Sequence, residues 1–112
     1  MNKYRAKAVI IDGHRFPSIA EGARYSELKF LVRSKAISDL ELQPVFVLQD
    51  KFKRAGKTHR AIKYIADFRY KENGATIVED YKGMKTDVYK IKKKLLLYKY
   101  PDINFIETGG RR

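Results

Sequence analysis

Tyr64-Ile65-Ala66-Asp67-Phe68 and, after one turn, Ile77-Val78-Glu79-Asp80-Tyr81-Lys82-Gly83 are the stretches whose reading decides the fold. Each sets a carboxylate near the middle or end of an apolar run. Asn73-Gly74 between them is a tight-turn signal. The two runs therefore read as neighbouring antiparallel strands, Ala61 to Tyr70 and Ala75 to Lys82. Alternation puts Tyr64, Ala66, Phe68 and Tyr70 on one face of the first strand, with Ile65, Asp67 and Arg69 on the other. In the second strand Asp80 and Lys82 are two residues apart and share a face. The hairpin can bring Asp67 close to Asp80.

Working outward, Leu42 to Phe52 reads as the strand that opens a three-strand meander, and Lys53 to His59 as a basic turn. Before it, Ser18-Ile19-Ala20-Glu21 matches a capping box, so a helix is expected from Ser18 to about Ser34. Tyr25, Leu28 and Val32 lie on one face of it, with Glu21 in phase one turn earlier. After the meander, Thr86 can cap a second helix running to about Tyr98. Val88, Ile91, Leu95 and Tyr98 form its expected apolar stripe, and Lys90, Lys93 and Lys94 another face. Pro101 ends it, and Ile103 to Ile106 reads as a last strand. At the N-terminus, Ala6 to Ile11 and His14 to Phe16 form a small β-hairpin about Asp12-Gly13. The expected fold is α/β, a sheet flanked by helices, in one domain over residues 1–108 with a disordered tail at 109–112.

The chain has 25 Lys and Arg against 13 Asp and Glu, a net charge of +12. That imbalance points to a polyanionic partner, and nucleic acid is the commonest. There is no cysteine, which excludes disulfides and thiolate metal sites. No apolar run approaches the about 20 residues of a membrane span, and the N-terminal apolar run is too short for a signal peptide. The expectation is a cytoplasmic protein without membrane contact.

Two carboxylates as near as Asp67 and Asp80 repel unless a cation or proton sits between them. Hard divalent ions such as Mg²⁺ or Mn²⁺ take oxygen ligands of this kind. An ammonium beside the pair, Lys82, can bind a scissile phosphate or stabilise developing negative charge. These are the parts that phosphodiester hydrolysis needs. Taken alone, an Asp-x-Lys triplet is more often a solvated strand face. The preceding Asp, the turn, the basic helix and the net charge lend it company. Glu21 has two readings, a group facing the site or the third residue of the capping box. Glu79 faces opposite Asp80 as a surface or supporting group. Gln43, beside Pro44, either touches the site or ends a turn. Lys90, Lys93 and Lys94 are candidate phosphate contacts, and so are Lys53, Arg54, Lys57 and Arg60 in the basic turn.

An Asp in one strand followed by Asp-x-Lys in the next resembles the PD-(D/E)xK nuclease superfamily. Further blocks, SIAEGARYSEL at 18–28, LELQP at 40–44, YIADF at 64–68 and VEDYKGMKTDVY at 78–89, resemble a family of small phage proteins. The resemblance implies a restriction-endonuclease-like core of helix, three-strand meander, helix and strand. It implies that Asp67, Asp80 and the backbone carbonyl of Tyr81 ligate Mg²⁺ or Mn²⁺, that Lys82 is the catalytic lysine, and that Glu21 joins the metal site. Ala66 stands where the superfamily's name has proline. The implied activity is a metal-dependent endonuclease acting on DNA, on branched or junction intermediates of phage recombination or replication, in the host cytoplasm. Junction enzymes of this kind are commonly homodimers, and a chain this short suggests a partner protein for targeting. The rival expectation is a non-catalytic nucleic-acid-binding module that retains the fold.

Overall fold

The computed structural model describes residues 7–82 and 84–109. Its centre is β9 (Ala75–Tyr81), whose residues Ile77 to Asp80 are all buried. A strand that is apolar at successive positions is covered on both faces, and the two faces of β9 lead into two different cores. Ile77 packs with Phe16, Tyr25, Leu28, Ile37, Phe68 and Tyr70 beneath α1 (Ile19–Arg33). Val78 packs with Phe46, Tyr64, Ala66, Tyr89 and Leu96 beneath α2 (Asp87–Lys99).

The sheet around β9 has four strands. β8 (Phe68–Glu72) pairs with it antiparallel through the Asn73-Gly74 turn, and β10 (Ile103–Thr108) returns parallel on its other side after α2. The far edge is β3 (Ser38–Leu42), antiparallel to β8, which gives the order β10-β9-β8-β3. A hairpin of β1 (Val9–Ile11) and β2 (His14–Phe16) lies against α1. Their close approach depends on Gly22, where a Cβ would stand 2.6 Å from Val9 Cγ2. The expected helix starts hold, because Ser18 Oγ accepts from Glu21 N–H and Thr86 Oγ1 from Tyr89 N–H.

Three expectations are corrected. The meander opens with Ser38–Leu42, not with Leu42 to Phe52. The longer stretch is cut by Gln43, at φ 51, and by Pro44, which has no N–H to give a ladder. Past that cut, β4 (Val45–Gln49) leaves the main sheet and pairs with β7 (Ile62–Ile65). Next, residues 53–59 are more than the expected basic turn. β5 (Phe52–Arg54) and β6 (Lys57–His59) pair about Ala55-Gly56, both at positive φ. Finally, the apolar stripe expected on α2 faces away from the sheet: Val88, Ile91, Leu95 and Tyr98 are exposed, and Tyr89 and Leu96 are buried. Tyr89 and Leu96 are seven apart and form an equally periodic apolar face, so spacing alone did not choose between the two. The last strand runs two residues beyond the expected Ile106.

No helix of the described residues is long and apolar enough to cross a membrane. Of the expected disordered tail, residues 110–112 lie outside the described residues. Gly109 is placed, at φ 74 and so close over Tyr81 that a Cβ would stand 2.0 Å from the ring. Gly83 and Ala6, at the ends of two expected strands, also lie outside them.

Candidate active site

Successive residues of β9 face opposite ways, and its two acids are treated differently. Glu79 points to the α1 side, where Arg24 holds it through both nitrogens, Nε to Oε1 at 2.9 Å and Nη2 to Oε2 at 2.6 Å. Tyr70 also donates to it. Burial works against the Glu79 charge, but the Arg24 and Tyr70 bonds together outweigh it and leave its pKa lowered. Glu79 is 2% exposed and is therefore no surface group. Arg24 serves as its counter-charge.

Asp80 points to the α2 side and is 1% exposed. Tyr64 donates a hydrogen bond to Asp80 Oδ2. Burial first, and that bond second, hold the Tyr64 phenol far above its usual range, so it remains a donor. Lys82 shares the Asp80 face as expected, with Nζ 3.5 Å from Oδ2 and 4.9 Å from the centre of the Tyr89 ring.

Asp67 reaches Asp80 because the first strand is interrupted there. Phe68 is the register partner of Glu79, yet Asp67 N–H also donates to Glu79 O at 3.1 Å. The chain leaves β7 at Ile65 and enters β8 at Phe68, with a bend at Asp67 between the two sheets. The break turns the run over: Tyr64 and Ala66 lie in the α2 core, Phe68 and Tyr70 in the α1 core. The four do not share one face as alternation predicted. Asp67 sits at that break, and its Oδ2 accepts from Tyr81 N–H at 2.7 Å. Its carboxyl lies close enough to Asp80 for the Asp80 charge to act on it. Burial, and then the charges of Asp80 and Glu21, push its pKa up to about 7 against the opposing Tyr81 bond. Glu21 is shifted upward too, first by burial and then by Asp80, with Lys82 opposing.

Glu21, Asp67, Asp80 and Lys82 thus form one electrostatic group drawn from α1, the break between β7 and β8, β9 and the residue that follows it. Of the capping box only the Ser18 half is present, Glu21 N–H donating to Ser18 Oγ, and the Glu21 carboxyl is acted on by Asp80 and Lys82. Glu21 and Asp67 also line two adjoining clefts, of about 230 and 350 Å³. Gln43 lines the first, and its N–H donates to Asp67 O at 2.9 Å, so it both ends a strand and touches the site. Among the described residues, no three His, Cys, Asp or Glu side chains close into a ready metal cage. Asp80 and Asp67 are met instead by Tyr64 and by Tyr81 N–H. As donors they suit a hard cation: all are oxygens, and their mutual repulsion is what a positive charge would offset.

The basic candidates divide. Lys93 Nζ is 3.4 Å from Glu107 Oε1 and Lys85 Nζ 3.2 Å from the same oxygen. That spends part of the Lys93 charge inside the fold. Lys90 and Lys94 are exposed, and so are Lys53, Arg54, Lys57 and Arg60. Glu107 was not singled out from the sequence. It is the register partner of Asp80 and receives Tyr89 as well. Only the two further strand residues beyond Ile106 would have pointed to it. Tyr64 was legible only as a core residue, since nothing in its spacing announces its acidic partner.

Arg24→Ala is expected to destabilise the protein by about 2–3 kcal/mol at neutral pH. That is less than for a fully buried pair, because the side chain of Arg24 is 36% exposed. A lowered folded-state pKa contributes stability above the unfolded value, and that contribution is lost as pH falls through the folded one. The wild-type advantage over Arg24→Ala should therefore shrink below the usual Glu range. Urea denaturation at neutral and acidic pH checks it, and an equal difference at both would be the contrary result.

A family model described as a protein of unknown function, DUF1064, matches residues 1–108. No curated protein and no solved structure matches the chain.

Proposed function

We propose that this chain, which belongs to the DUF1064 family of proteins of unknown function, is a divalent-metal-dependent nuclease that hydrolyses DNA phosphodiesters. One observation carries the reading: Asp67, at the break between β7 and β8, lies close enough to Asp80 for that charge to act on it, with the Lys82 ammonium 3.5 Å from Asp80. Repulsion of this kind destabilises the fold and is retained where it serves a site. The order α1, then β3, β8 and β9, then α2 and β10 supports the PD-(D/E)xK reading, with β3 as the first strand of the meander.

Asp67 and Asp80, with Glu21 and the Tyr81 carbonyl, would hold Mg²⁺ or Mn²⁺. When bound, the ion supplies positive charge beside the phosphoryl oxygens and eases ionisation of the attacking water. Lys82 brings a further positive charge to the phosphate as negative charge develops in the transition state. Tyr64 fixes the Asp80 carboxyl by donating to it, and Tyr81 N–H fixes Asp67. Arg24 keeps Glu79 turned away from this work.

A second reading, a DNA-binding module without catalysis, draws on those same two hydrogen bonds, which already satisfy both carboxylates. Supercoiled and branched DNA incubated with Mg²⁺, Mn²⁺ or EDTA separates the two. The nuclease reading expects nicking with either ion and none in EDTA. Absence of cutting with both ions favours the module, and cutting that persists in EDTA overturns the metal dependence.

A further inference from the structure

β4 to β7 form a single arm. Gln49 pairs with Ile62, and three residues further along each strand Phe52 pairs with His59, so the ribbon continues in step to the Ala55-Gly56 tip. Six residues beyond Gln49 extend about 20 Å at strand rise. The radius of gyration, 16.1 Å, exceeds the about 13 Å of a compact chain of this length, as a projecting arm requires. The base of the arm is the candidate site itself: Ala66 N–H donates to Pro44 O, and Asp67 follows.

The charge on this arm is not what stability alone would select. Residues 50–63 contain Lys51, Lys53, Arg54, Lys57, Arg60 and Lys63 against a single acid, Asp50. None of these cations has an ion-pair partner among the described residues. Arg54 pairs directly with Lys57, and that register, extended one residue past the ladder, sets Lys51 opposite Arg60. Like charges directly opposite destabilise a ribbon. Alternation then sorts them. Arg54 and Lys57 share a face with the stacked rings of Phe52 and His59, 4.6 Å apart and 8° from parallel. Lys51, Lys53 and Arg60 share the other. A strip lying along one phosphate track needs cations on one face only. A ribbon cationic on both faces suits a groove, whose walls are both lined with phosphate.

The geometry points to a duplex-binding arm that enters the major groove of B-form DNA beside the site, which makes double-stranded DNA flanking the cut the substrate class. The groove, about 12 Å wide and 8.5 Å deep, admits a two-stranded ribbon. The deep, narrow major groove of an RNA duplex does not. This inference deepens the nuclease reading, but its test needs no cleavage.

Binding of the full chain to a short DNA duplex, the corresponding single strand and an RNA duplex is measured by fluorescence anisotropy in EDTA over a range of salt. Two variants each neutralise one face, Arg54→Gln with Lys57→Gln, and Lys51→Gln with Lys53→Gln and Arg60→Gln. The slope of log K against log salt on DNA duplex should flatten by about 1.8 and about 2.7 respectively. Losses on RNA duplex and single strand should be smaller. A charge-conserving variant, Lys53→Arg with Lys57→Arg, should keep the wild-type slope and shows that the tip is intact. An unchanged slope in either neutralised variant overturns groove entry, and so does equal loss on all three nucleic acids. If wild type cuts nothing with metal but the slopes change as stated, the nuclease reading fails and the arm stands. Cutting with unchanged slopes is the reverse result.

Discussion

Asp80→Asn is expected to lower metal-dependent DNA cleavage by about a hundredfold or more, with little loss of DNA binding. Partners that merely orient a metal ligand are worth about 10–100-fold, and Asp80 is proposed as the ligand itself. Asn is the informative replacement. Its side-chain oxygen can still accept from Tyr64, whereas Ala would strand a buried phenol at a cost of about 1–3 kcal/mol. The companion variant is Glu79→Gln, one residue away. Glu79 faces the other core and is held by Arg24 and Tyr70, so its loss should reduce stability and leave cleavage per folded molecule within a few-fold of wild type. Single-turnover cleavage and thermal denaturation of the two variants together give the check. Equal catalytic losses would mean that the strand's two faces do not divide the work as proposed, and an active Asp80→Asn would remove the acidic pair from the chemistry.

Much of this arrangement was legible because local signals agreed. Asp12-Gly13 and Asn73-Gly74 marked hairpins, Ser18 and Thr86 marked helix starts, and the acids of β9 fell on opposite faces by alternation alone. Two kinds of feature were not legible. One is backbone irregularity. Nothing in Tyr64 to Tyr70 signals that the strand breaks at Ala66-Asp67, because the break leaves the run of residue types unchanged while the following side chains turn to the other core. The other is the choice between two apolar faces. α2 carries Val88, Ile91, Leu95 and Tyr98 on one side and Tyr89 and Leu96 on the other, and which side is buried depends on what the sheet presents. Here Tyr89 and Leu96 pack with Phe46 and Tyr64, and Phe105 lies against the same cluster.

The same irregularity made the site better than regular alternation would have. A regular strand from Ala61 to Tyr70 would have put Asp67 on the face opposite Tyr64. The break between β7 and β8 instead sets Asp67 at the point where the α1 and α2 sides meet. There Glu21 from one side and Asp80 from the other both act on its charge. The glutamate suggested by helix phase and the carboxylates suggested by the strands converge through a feature that none of those signals contained.

Cleavage is expected to rise with pH up to about 7 and then level off, and the cause should be traceable to Asp67. Its folded-state pKa is pushed up from 3.8 to about 7 by burial and by the charges of Asp80 and Glu21. Holding a divalent ion requires the ionised form, so metal and proton compete for the site. Below that value the rate should fall about tenfold per unit of pH at low metal, and raising Mn²⁺ should move the midpoint downward. Stability follows the opposite course. An acid whose folded pKa is raised favours the protonated fold: the contribution is complete below the unfolded value and lost as pH rises through the folded one. Metal-free protein should therefore lose stability between about pH 4 and pH 7, and added Mg²⁺ should stabilise it more at about pH 8 than at about pH 6. Asp67→Asn removes the titrating group, so the metal-free variant should show a flatter stability profile and gain little from Mg²⁺ at either pH. Urea denaturation with EDTA and with Mg²⁺ measures both. A wild-type profile in the variant would mean that the acidic pair carries no shared charge, and with that the physical basis of the metal site would be gone.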